Sequence, residues 1–130
     1  MKGIDTNVLL CYLVEDDADQ ARRAARFLLE ECTVEDPGLV NRVVLCELVW
    51  VLHSGYGYSR VEVVHALDAI MSAAQLNVED RHEAAEAVDA YRNGADFADG
   101  LIAAVNRRLG CEHTVTFDRK ASRRPGFIAL

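Results

Sequence analysis

Five carboxylates in this chain stand where a sequence that only builds a core avoids them. Asp5, with Thr6 and Asn7, interrupts the apolar start MKGIDTNVLL. Glu47 is the single charge in VVLCELVWVL, Asp96 and Asp99 lie in GADFADGLIAAVNRRLG, and Asp118 closes TFD. Each has an ordinary explanation when taken alone. Asp5, Thr6 or Asn7 can cap a helix that begins near Val8, and Asp96 and Asp99 suit the N-cap and first turn of another. Glu47 reads as buried, and a lone buried carboxylate costs several kcal/mol unless it is protonated, paired with an Arg such as Arg42 or Arg60, or bound to a cation. Taken together, the acids describe one site. Carboxylates ~4 Å apart repel by roughly 4 kcal/mol per pair at an effective dielectric of about 20. Such a cluster needs a dication or a shared proton. A donor set made of oxygen alone selects Mg²⁺ or Mn²⁺ over zinc. A pair of such ions ~3.5–4 Å apart can activate a water and stabilise the leaving oxygen in phosphodiester hydrolysis.

The elements that must position these acids follow from punctuation and periodicity. Lys2-Gly3-Ile4 reads as a short strand and residues 8–14 as a helix. Asp16-Asp17 opens a second helix with Ala21, Ala24, Leu28 and Cys32 on one face, and Pro37-Gly38 breaks it. Leu39-Val40 is a second strand, after which Asn41 caps a helix to about His53. Ser59-x-x-Glu62 is a capping box, residues 75–78 form a third strand, and Asp80-x-x-Glu83 and Asp96-x-x-Asp99 open helices that Gly94 and Gly110 end. Residues 113–117 and 126–130 complete the strands. Strands separated by helices predict an α/β fold with a parallel sheet. Asp5 and Asp118 each follow a strand, and open parallel sheets bind ligands beyond the carboxyl ends of strands where strand order reverses. Neighbouring first and fourth strands would bring these two acids together.

Length and composition set the frame. The 130 residues suit one domain, and 51 % hydrophobic with 27 % charged residues is the make-up of a globular chain. The formal charge is −7, from 14 basic and 21 acidic residues, so overall charge does not grip nucleic acid, although a local patch or a bound ion can reverse the sign of a site. Cys11, Cys32, Cys46 and Cys111 form no C-x-x-C pair and share no zinc-ligand spacing with a His. No export signal begins the chain, and the longest apolar run, residues 43–52, falls far short of the ~20 residues of a membrane span. A cytoplasmic, reduced protein is the expectation.

Asp5-Thr6-Asn7, then Glu47 in LCELVWVL, then DFADGLIAA, then TFD together resemble the PIN-domain ribonucleases, above all the VapC-type toxins of bacterial toxin–antitoxin pairs. The resemblance covers the whole chain. It implies one PIN-like domain over residues 1–130, with a five-stranded parallel sheet of order 3-2-1-4-5 flanked by helices. It implies a metal site of Asp5, Glu47, Asp99 and Asp118 holding Mg²⁺ or Mn²⁺. Asp96, Thr6, Asn7 and Thr116 would support that site. Asp118 is followed by Arg119-Lys120 and not by another acid, so the choice between one ion and two stays open. The resemblance also implies an RNA substrate, a VapB-like antitoxin that blocks the site, and a homodimer.

Arg119, Lys120, Arg123 and Arg124 flank Asp118 and are the candidates for RNA phosphate contacts, with Arg107 and Arg108 close by in sequence. Arg22, Arg23 and Arg26 make a second basic face. Tyr56 and Tyr58 could stack on bases, and Tyr12, Trp50 and Val51 belong either to the core or to a partner surface. A phosphotransferase working through an aspartyl intermediate needs a second Asp where Asn7 stands, and no G-x-G-x-x-G or P-loop occurs. The alternative is a catalytically weak PIN-like module for RNA binding or dimerisation.

Overall fold

Short strands alternate with capped helices along the chain. The computed structural model describes residues 1–130 as two compact units, Met1–Arg81 and His82–Leu130.

The first unit holds β1 (Lys2–Gly3), α1 (Thr6–Val14), α2 (Ala18–Arg26), β2 (Gly38–Val40), α3 (Arg42–Trp50), α4 (Arg60–Ser72) and β3 (Leu76–Val78). π-helical turns, Phe27–Glu31 and Val51–Gly55, extend α2 and α3. Side chains start these helices by accepting otherwise unpaired backbone amides. Asp17 takes the Gln20 amide at 3.0 Å and Asn41 the Val44 amide at 2.9 Å. Ser59 and Glu62 form both halves of the capping box at 3.2 and 3.1 Å. The strands pair in parallel in the order β1-β2-β3, with Gly3 opposite Leu39 and Val40 opposite Val78. Leu9, Val40, Leu45, Leu48, Leu52, Val63 and Leu67 are fully buried in this unit.

The second unit comprises α5 (Arg81–Arg92, which begins at the boundary), α6 (Phe97–Arg108), β4 (Thr114–Thr116) and β5 (Phe127–Ala129). Tyr91 and Phe97 meet edge to face, 6.4 Å between ring centroids. Gly100 lets α6 approach α5 closely, since a Cβ there would lie 3.3 Å from the Ala87 backbone.

The class is the expected α/β, and the neighbours 3-2, 2-1 and 4-5 are as expected. The ladders, however, form two parallel sheets, β1-β2-β3 and β4-β5, in place of one five-stranded sheet of order 3-2-1-4-5. β1 has only two residues, and its ladder bonds run to the β2 segment: Lys2 N to Pro37 O at 3.0 Å and Ile4 N to Leu39 O at 2.9 Å. So short a strand has few groups to offer a second neighbour. No helix is long and apolar enough to cross a membrane.

Candidate functional site

In the first unit, Asp5 ends the β1 segment in extended conformation and caps α1, its Oδ1 accepting the Thr6 amide at 2.9 Å. Asp5 and Asn7 are exposed, whereas Thr6 is buried and its hydroxyl has no hydrogen-bond partner. Glu47 departs from expectation. It is exposed, on the outer stripe of α3 with Val43 (70 % exposed) and Trp50 (68 %). The helix buries Val44, Leu45, Leu48 and Val49 instead. The all-apolar context made Glu47 read as buried, but its same-face neighbours at i−4 and i+3 are themselves on the surface. Burial therefore exacts no charge penalty from Glu47. Arg42, one partner considered for it, instead pairs with Asp80 at 3.0 Å and Glu79 at 3.5 Å.

In the second unit, three acids interact. Asp96 caps α6 through Oδ2, which accepts the Asp99 amide at 3.0 Å. Asp99 is half-buried, and its carboxyl is pushed above the usual carboxylate range, first by desolvation, then by the negative charges of Asp96 and Asp118. No hydrogen bond or ion pair compensates it. Asp118 lies just beyond β4, where the Thr116 hydroxyl accepts the Asp118 amide at 3.0 Å. The Asp118 Oδ1 accepts the amides of Lys120 (2.8 Å) and Ala121 (3.1 Å). Asn106, on α6, donates to Thr114 Oγ1 at 3.0 Å and ties the helix to β4.

Two of the basic candidates serve the scaffold. Arg108 pairs with the buried Glu83 at 2.9 Å, and Arg107 pairs with Glu86, which also meets His82 at 3.1 Å. Arg119, Lys120 and Arg123 are exposed and Arg124 is half-buried, and none of the four forms an ion pair. Tyr56 is exposed and donates its hydroxyl to Asp16 at 3.1 Å.

No group of three or more His, Cys, Asp and Glu side chains is arranged to hold a metal ion. Local caps account for part of this, because Asp5, Asp96 and Asp118 each commit one oxygen to nearby backbone amides. By chemistry, the second unit's acids still fit a hard dication. They offer oxygen donors only, each capped acid keeps a second oxygen, and no cation compensates Asp99, whose carboxyl feels the charges of Asp96 and Asp118.

The PIN domain family model matches residues 3–126. The chain belongs to the PIN domain family. This PIN chain is similar to the VapC ribonuclease of Aquifex aeolicus (strain VF5), 27 % identical over 121 residues, which is 92 % of this chain and 89 % of that protein. One feature of this PIN domain escaped the sequence motifs, a groove along α1 and α2. Its polar residues, Gln20 and Arg23 among them, read in sequence as ordinary solvated helix positions.

Proposed function

We propose that this chain is a Mg²⁺- or Mn²⁺-dependent endoribonuclease, the toxin of a VapBC-type toxin–antitoxin pair. The observation that carries the reading is the Asp99 carboxyl, half-buried in a PIN chain, raised first by desolvation and then by the charges of Asp96 and Asp118, and matched by no cation. The similarity to a protein named VapC ribonuclease supports the substrate class. In this reading Asp5, Glu47, Asp99 and Asp118 are the acids that hold the ion, within one domain spanning residues 1–130. When bound, the ion supplies Lewis acidity toward a water and the phosphodiester. Asp96 holds the start of α6 and adds negative charge beside Asp99, and Thr116 holds the backbone of Asp118. Arg119, Lys120, Arg123 and Arg124 contact phosphates on either side of the cut, since none of them is neutralised by a carboxylate. The partners are RNA, a VapB-like antitoxin and a second copy of the chain, in the cytoplasm. The exposed Val43 and Trp50 offer apolar surface for a protein partner.

One observation favours a second reading, a catalytically weak PIN-like module for RNA binding or dimerisation: no ligand group of three is preassembled. Incubation of the purified chain with structured RNA separates the two. Cleavage at single-stranded positions with Mg²⁺ or Mn²⁺ that stops in excess EDTA is the expected result. RNA binding without cleavage would favour the second reading, and cleavage undiminished in EDTA would overturn the metal requirement.

A further inference from the structure

We propose that the groove along α1 and α2 seats one nucleotide of the RNA chain, base inward, beside Asp5; this rests on the ribonuclease reading above. The groove lies within the first unit and encloses about 590 Å³, inside the ~300–1,000 Å³ range of small-ligand sites. Val8, Cys11, Ala24 and Phe27 give it apolar walls of the kind a base ring covers. Two amides stand among them. Asn7 makes no side-chain hydrogen bond, and Gln20 uses only its Oε1, accepting the Cys11 thiol at 3.4 Å. Between them they offer donors and acceptors, the pattern that reads a base edge.

The arginines identify where the phosphate goes. Arg22 pairs with Asp19 at 3.4 Å and Arg26 with Glu30 at 3.5 Å, but the side chain of Arg23, exposed and lining the groove, makes no ion pair or hydrogen bond. An unpaired guanidinium is a ready fork for phosphate. Glu31 lines the groove toward the far end of the same helical segment and repels phosphate there, leaving the Arg23 end for it. Asn7 follows Asp5 by two residues in the first turn of α1, so a nucleotide held by Asn7 lies next to the proposed cut site. An apolar peptide would leave the Asn7 and Gln20 amides and the Arg23 charge unanswered, which favours a nucleotide as the occupant.

The test titrates each of the four ribonucleoside 5′-monophosphates into the full chain in EDTA, following backbone amide resonances for wild type and Arg23→Gln. The expected shifts fall on α1 and α2, with affinity about tenfold weaker in Arg23→Gln, the effect of one lost charge-assisted hydrogen bond. In RNA cleavage the same variant should raise KM about tenfold and leave kcat nearly unchanged. Arg23 is solvent-exposed, so the fold should survive, and a melting curve verifies it. Shifts that map elsewhere, an Arg23→Gln response equal to wild type, or no shift with any nucleotide would overturn the proposal, the last turning the groove toward a protein partner. If wild type fails to cleave RNA but the groove responds to nucleotide and to Arg23→Gln, only the nuclease reading falls.

Discussion

Asp96 holds the Asp99 amide at 3.0 Å and at the same time adds its negative charge to the desolvation that raises the Asp99 carboxyl. One residue thus fixes the helix start on which Asp99 stands and makes the charge of Asp99 costly. The two acids therefore respond differently to removal. Asp99→Asn should abolish cleavage. Because the folded-state pKa of Asp99 is raised, its protonation contributes stability that is complete below the unfolded value near 3.8 and is lost as pH rises through the folded pKa. At neutral pH the metal-free Asn variant should melt slightly higher, by about 1–3 °C after solvent screening. Asp96→Asn keeps a capping oxygen and should retain more activity. Side-by-side melts in EDTA and RNA assays check both, and equal activity loss in two folded variants would show the ranking to be wrong.

Thr6 is buried with an unpartnered hydroxyl directly after Asp5. A buried polar group without a partner costs stability, and replacing it by a methyl of similar shape relieves that cost. Thr6→Val should hold or raise stability, by up to ~1 kcal/mol, and should lower cleavage, since the hydroxyl is proposed to support Asp5. A variant as active as wild type would remove Thr6 from the site.

Glu83 is 6 % exposed and pairs with Arg108, whose side chain is 43 % exposed. Glu83→Ala should cost about 1–3 kcal/mol, less than a fully buried pair because solvent reaches the arginine. Arg107→Gln breaks an exposed pair with Glu86 and should cost under ~1 kcal/mol. Arg107→Gln should also leave RNA affinity unchanged, whereas Arg119→Gln should weaken it and reduce the slope of log K against log salt by about 0.7. Urea melts and filter binding at several salt concentrations measure these effects.

Asp36 accepts hydrogen bonds from Lys2 at 2.5 Å and from the N-terminal amine, and these hold its carboxyl at about 2. A lowered folded pKa contributes stability above the unfolded value near 3.8, and that stability is lost as pH falls through about 2. Asp36→Asn should therefore melt below wild type at pH 5 and converge with it near pH 2. The difference should shrink with added salt, because the groups are exposed. A gap between the two melting temperatures that is constant from pH 5 to pH 2 would falsify this linkage.

What the sequence determined by itself was local. The Ser59–Glu62 capping box and the caps at Asp17, Asn41 and Asp96 act over three residues, so they were legible without any knowledge of the fold. The order of strands and helices, and the acids worth testing, were legible for the same reason. Tertiary structure decided which face of α3 turns inward, and it left Glu47 outside because Val44, Leu45, Leu48 and Val49 supply the buried stripe. It also decided which charges are spent. Arg42 meets Asp80 across 38 residues, Lys2 meets Asp36 across 34, and Arg107 meets Glu86 across 21. The division of the ladders into two sheets and the α1–α2 groove arise in the same way. Burial and ion pairing depend on segments far apart in the chain, and no window of sequence contains both partners.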